Sequence, residues 1–129
     1  MLELKISVDD RNLKILAKGI SDIPNDNTLG EQLAILTRNY MDEYVPFDTG
    51  QLASTVKVLP WELIYTRAGV HSNYEGISVS GKDINYTKTH HPNATHHWDK
   101  AMLANKGEQY NKSAKELIME RIRRLNGND

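Results

Sequence analysis

The chain has 129 residues, 39% hydrophobic and 26% charged, which suits one soluble domain with a modest core and excludes a disordered polypeptide. Sixteen basic residues against seventeen acidic leave a net charge of −1, whereas gripping duplex DNA as a main task calls for a basic excess gathered on one face. There is no cysteine, which removes disulfides, thiol catalysis and cysteine-based zinc sites; no apolar run approaches the ~20 residues of a membrane span, and the opening Met-Leu-Glu-Leu-Lys-Ile shows no secretory signal.

Taken in chain order, Leu2, Leu4, Ile6 and Val8 alternate with Glu3, Lys5 and Ser7, the period-two pattern of a half-buried strand. Leu13, Ile15, Leu16 and Ile20 predict a short helix over 9–20, with Asp9 or Asp10 as its cap. A polar connection rich in turn formers follows, from Ser21 to Asn27. Thr28 with Glu31 three residues later matches a capping box, and Leu29, Leu33, Leu36, Tyr40 and Tyr44 then recur at helical spacing. Pro46 ends that helix. Asp48-Thr49-Gly50 makes a turn, in which Gly50 permits a positive φ, or starts a short helical turn with Leu52 buried.

Residues 55–59 and 61–67 are rich in β-branched and aromatic side chains and predict paired strands with Pro60 at the corner. Ile77-Ser78-Val79 and Ile84-Asn85-Tyr86 flank Ser80-Gly81-Lys82-Asp83, a hairpin tip or an extended loop, and 87–96 are irregular. From His97 the helical period returns, with Trp98, Ala101, Met102 and Asn105 on one face. Gly107 marks a kink. Tyr110, Ala114, Leu117, Ile118, Arg121, Ile122 and Leu125 carry the helix on, Arg121, Arg123 and Arg124 suit its C-terminal dipole, and 126–129 fray. The layout is α+β in a single domain, 1–129: a small antiparallel sheet with packed helices, a long loop or arm at 69–97 between the strands and a C-terminal helix.

The densest chemistry is His90-His91 with His96-His97, four histidines in eight positions. Zinc needs three or four converging ligands. Adjacent residues of an extended chain face opposite ways, so each pair offers one ligand to a site, and a two-histidine site would need Asp99 or Asp83. A nuclease reading, with His91 or His97 as general base beside Asp99, lacks the hairpin and second ligand that such chemistry requires. Asp48-Thr49-Gly50 matches the aspartic-protease triplet, yet it follows a helix and Pro46-Phe47 rather than an apolar strand, and one triplet needs a partner carboxylate. The plainer reading of the histidines is a solvated or interface loop. No catalytic, cofactor or metal residue is therefore assigned, and no phosphate-binding or nucleophile-elbow motif occurs.

Four separated pieces resemble one family. Tyr44-Val45-Pro46-Phe47-Asp48-Thr49-Gly50-Gln51-Leu52 is similar to the helix-end element of small phage neck proteins, and Asn73-Tyr74-Glu75-Gly76 to their aromatic element after the strands. Asn85-Tyr86-Thr87 with His91-Pro92-Asn93-Ala94-Thr95 resembles their loop, and Trp98-Asp99-Lys100-Ala101-Met102 the start of their last helix. Together the pieces cover roughly residues 28–120 and resemble the minor capsid proteins of tailed phages of Gram-positive bacteria, similar to the tail-completion (head–tail joining) group. The doubled histidines depart from that pattern.

The resemblance implies a non-enzymatic virion protein without a cofactor, made in the host cytoplasm. It implies a ring, hexameric in the family, with connector or stopper proteins on the head side and tail-terminator or tail-tube proteins on the tail side. DNA would pass through the lumen without specific binding, and no membrane is involved. A stopper or tail-terminator position in the same neck is the near alternative, and a histidine-dependent metal hydrolase or nuclease the distant one. On this reading Tyr74, Tyr86, His91, Pro92 and Trp98 are the subunit-contact and loop residues, and Pro46, Asp48 and Gly50 form a structural turn. Trp98 and Tyr86 are the expected aromatic anchors.

Overall fold

A computed structural model of the chain describes residues 3–8, 26–45, 56–66, 70–77, 80–84, 86 and 93–125. The expected helix at 9–20, the turn of Pro46, Asp48 and Gly50, the loop residues His91 and Pro92, and the tail 126–129 lie outside them. The described elements are β1 (Leu4–Ser7), α1 (Asn27–Met41) followed by a 3-10 turn at Asp42–Tyr44, β2 (Val56–Leu59), β3 (Glu62–Tyr65), α2 (Val70–Glu75) and α3 (Trp98–Leu125). This is the expected α+β class: a three-stranded antiparallel sheet in the order β1-β3-β2, with helices including a long C-terminal one.

β3 lies in the middle and carries the burial. Its Leu63, Ile64 and Tyr65 are all buried, whereas β2 alternates half-buried and exposed positions. β1 pairs with β3 from Leu4↔Tyr65 to Ser7↔Glu62, and β2 pairs from Val56↔Tyr65 to Leu59↔Glu62. The strands β2 and β3 are joined by Pro60 and Trp61 alone. Two-residue hairpins favour positive φ at the first turn position, which proline cannot adopt. Here Trp61 takes it instead, at φ 67°. The expected strand therefore starts one residue late, because Trp61 belongs to the turn.

That strained turn is held from α1. Trp61 N–H donates to Gly30 O at 3.1 Å, and Val8 N–H to Trp61 O at 2.9 Å. The indole lies flat against Gly30, where an added Cβ would fall 2.5 Å from Trp61 Cδ1. Gly30 is thus the notch through which the helix meets the hairpin turn.

α1 buries Leu29, Leu33 and the 3-10 residue Tyr44 on the expected face, and adds Ala34, Thr37 and Met41. Its cap differs from the sequence reading. Asp26, not Thr28, is the N-cap, and its Oδ1 accepts from Leu29 N–H at 3.1 Å. Asp26 Oδ2 also accepts from Arg121 Nε at 2.7 Å, tying the start of α1 to the end of α3. Burial would raise the Asp26 pKa, but the bonds from Arg121 and Leu29 outweigh it and hold the carboxyl below its ordinary value.

α3 packs along α1 through Tyr110, Ala114 and Ile118. The single buried polar residue among the described ones, Thr37, donates to Leu33 O at 2.7 Å. A hydroxyl has one proton, so Tyr110 donates to Thr37 Oγ1, also at 2.7 Å. Tyr40 stacks edge-on against Tyr110 with centroids 5.7 Å apart. The expected kink falls at Lys106 (φ −133°, ψ 19°), next to Gly107. There Lys106 pairs with Glu43. Asn105, expected on one face with Trp98, Ala101 and Met102, is exposed, with its Nδ2 donating to Ala101 O at 2.8 Å.

The sequence predicts a long loop or arm at 69–97. The structure places α2 within it, and beyond α2 a bridge between Ile77 and Asp83, with Ile84 N–H donating to Gly76 O at 2.9 Å. Of the stretch read as a hairpin tip or an extended loop, residues 78, 79 and 85 lie outside the described ones, and the described part shows this one bridge. No helix among the described residues is long and apolar enough to cross a membrane.

Candidate interaction site

Three chain segments meet where the hairpin leaves the body: the end of α2, residues 93–97, and the first turn of α3. Tyr74 is their hub. Its ring stands edge-on to Trp98 at 5.0 Å and 87°, and 4.9 Å from the ring of His97. Its hydroxyl donates to Asp99 Oδ1 at 2.6 Å, and its carbonyl accepts from His97 N–H at 2.7 Å. Burial, then the bond to the Asp99 carboxylate, pushes the Tyr74 hydroxyl well above its ordinary pKa, so it stays a donor.

His97 enters α3 with φ 44°, a left-handed conformation unusual for a residue with a Cβ. Its backbone is held on both sides, since its carbonyl accepts from Ala101 N–H at 3.0 Å. Its Nε2 lies 3.2 Å from Glu75 Oε2. The segment before it is stitched to the end of α1: Thr95 N–H donates to Tyr44 O at 3.0 Å, and Asn93 Nδ2 to Glu43 Oε2 at 3.1 Å. Residues 93–97 are therefore a strap between the ends of α1 and α2.

The root of the hairpin is fixed by two further contacts. Tyr86 donates to Asn73 O at 2.5 Å, and burial raises the pKa of its hydroxyl. Gly76 sits at φ 79°, where a Cβ would fall 2.9 Å from the Cβ of His96, so only glycine fits both the torsion and the space. Beside this root is a cleft of about 400 Å³ lined by Glu75, Ile77, Asp83, Ile84, Tyr86 and His96. Ile77 is 49% exposed at its edge.

Of the residues proposed from the sequence, Tyr74, Tyr86 and Trp98 come together here. Trp98 does so from inside. It is 0% exposed, in contact with Tyr65 (5.5 Å between centroids) as well as Tyr74, and is a core residue rather than a surface anchor. The indole N–H of Trp98 and the hydroxyl of Tyr65 are both buried without a hydrogen bond of ordinary geometry. Burial pushes the Tyr65 hydroxyl far up, and the neighbouring Trp98 N–H only tempers the rise. Sequence reasoning missed Asn73, Glu75 and Asp99 as partners. The only signal was their place beside Tyr74 and Trp98.

Among the described residues no group of three or more His, Cys, Asp and Glu side chains is placed to hold a metal ion. The His96 and His97 rings lie 4.9 Å apart, while Glu75 meets His97 alone. The arrangement ties the end of α2 to residues 97–99 through Tyr74.

A family model for the minor capsid protein matches residues 15–117. No curated protein and no solved structure matches the chain. The matched span takes in α1, the hairpin of β2 and β3, the junction around Tyr74 and most of α3. The chain belongs to the minor capsid protein family and is a structural protein of the phage particle.

Proposed function

We propose that this minor capsid protein is a subunit of the phage neck, where copies form a ring around the DNA channel and join head to tail. The observation that carries this reading is the coincidence of the four resemblance pieces with the matched span of residues 15–117. The structure is compatible with it: the Asn73–Gly76 and Trp98–Met102 pieces are the two sides of one junction, locked by Tyr74 on Trp98 and Asp99. The ring is hexameric, as the resemblance implies. Its partners are connector or stopper proteins on the head side and tail-terminator or tail-tube proteins on the tail side, with DNA passing unbound through the lumen.

Negative-stain electron microscopy of particles made without the gene tests this. Filled heads and separate tails, restored to joined virions by the wild-type gene, are expected. Heads that lose their DNA would move the protein to the stopper level, and tails of uncontrolled length to the tail terminator. Joined, infectious particles lacking the protein overturn the reading.

A further inference from the structure

We infer that Glu43 is a latch that couples the bend of α3 to the strap at the hairpin root, so that a displacement of one is passed to the other. The inference is independent of where the protein sits in the particle.

Packing calls for the bend. On a straight helix the midpoint of the buried pair Trp98 and Met102 would lie roughly 140° around the axis from that of Tyr110, Ala114 and Ile118. The first set packs where Trp98 meets Tyr65 and Tyr74, and the second where Tyr110 meets Thr37 and Tyr40 of α1. α3 therefore serves two surroundings, and the non-helical torsions at Lys106 fall between them. Gly107 permits the bend without being demanded by it. A Cβ there would meet nothing within 4 Å, and its φ is not left-handed.

The latch sits at that point. Glu43 belongs to the 3-10 turn that closes α1. One of its carboxylate oxygens takes the Lys106 ammonium, and the other accepts from Asn93 Nδ2 at 3.1 Å. Beside it, Tyr44 O accepts from Thr95 N–H at 3.0 Å, and the strap runs on to His97, whose N–H donates to Tyr74 O. A carboxylate is a rigid plane, so the donor on one oxygen fixes the orientation that the donor on the other uses. The Lys106 and Glu43 side chains are 41% and 34% exposed, and a pair so placed adds little to global stability. Its effect is on position.

Native-state hydrogen exchange of the full-length protein reads the coupling. Lys106→Met keeps a long side chain and removes the ammonium. Exchange at the Thr95 amide should then rise about two- to fivefold, although that amide bonds to Tyr44 O and not to Lys106. Leu63, buried in the central strand, is the global reference and should not change. Asn93→Ala tests the opposite direction and should speed the Tyr110 amide, in the first turn after the bend. With Glu43→Ala in place, adding Lys106→Met should change nothing further at Thr95. Gly107→Ala should leave Thr95 as it is.

Any of five results overturns the inference: a Thr95 amide unmoved by Lys106→Met, a rise at Leu63 equal to that at Thr95, a Tyr110 amide indifferent to Asn93→Ala, an undiminished effect of Lys106→Met beside Glu43→Ala, or a Gly107→Ala protein that speeds Thr95 as Lys106→Met does. The deletion experiment on particles is a separate readout. Loss of the neck reading would leave the latch intact, and a failed latch would leave the neck reading standing.

Discussion

Between α1 and α3 the contact is a seam of apolar side chains with one buried polar pair, Thr37 and Tyr110. Between α2 and α3 it is one aromatic ring surrounded by directed bonds: Tyr74 to Asp99, His97 N–H to Tyr74 O, and the His97 ring to Glu75. Burial is non-directional and supplies free energy, roughly 1.5–3 kcal/mol for each fully buried large side chain. Hydrogen bonds contribute less in net stability but fix orientation. The seam should therefore decide whether the chain folds, and the junction where the hairpin points.

Trp98→Ala should be the most damaging change, since Trp98 is the point at which the two regions share a side chain. A loss of about 3–5 kcal/mol, read from the urea midpoint, is expected for emptying so large a buried site. A folded variant of unchanged stability would remove Trp98 from the core and return it to the surface role expected from the sequence.

Gly30→Ala probes the body alone. Its new methyl would meet the indole of Trp61 at 2.5 Å, and the hairpin turn must shift to admit it, at a cost of about 1–3 kcal/mol. The same substitution made together with Trp61→Gly should cost less than the two changes summed. Strict additivity in that double-mutant cycle would show that the notch is not a contact.

Asp26→Ala removes the cap of α1 and its tie to α3, and about 1–2 kcal/mol should go with them. The pH dependence follows from the lowered Asp26 pKa. The folded protein holds this carboxyl below the unfolded value, so the stabilisation is complete above the ordinary carboxylate range and is lost as pH falls through the folded value. The gap between wild type and Asp26→Ala should therefore narrow on acidification. A gap that widens would reverse the sign and the assignment.

The same residues show what was readable in the sequence. The three- and four-residue steps of Leu29, Leu33, Leu36, Tyr40 and Tyr44, and of Tyr110, Ala114 and Leu117, expose both long helices, because amphipathic periodicity is a local property. The choice of cap was not local. Thr28 with Glu31 and Asp26 with Leu29 have the same spacing, and the decision rests in part on Arg121, 95 residues away. α2 has six residues, too few to show a period, and stands because Tyr74 packs on Trp98. An aromatic residue destined for the core and one destined for a partner look alike in sequence, so Trp98 was legible as an anchor but not as a buried one. The Tyr74–Asp99 bond joins residues 25 apart, and nothing local announces it.

The smallest effect gives the finest test of the comparison. His97→Gly removes the 3.2 Å pairing with Glu75, which at these exposures (32% and 61%) is worth no more than about 1 kcal/mol. It also relieves a left-handed φ of 44°, a strain of about 1–2 kcal/mol for a residue with a Cβ, at the entropic cost of a freer unfolded chain. These terms nearly cancel. His97→Ala loses the same pairing without the relief, so it should be the less stable of the two by about 0.5–1 kcal/mol. Neither variant should move the unfolding midpoint as Trp98→Ala does, yet both should speed amide hydrogen exchange at Gly76 and Ile84, whose bonds hold the hairpin root. If exchange there is unchanged while global stability falls, the junction is part of the seam and the two regions are one.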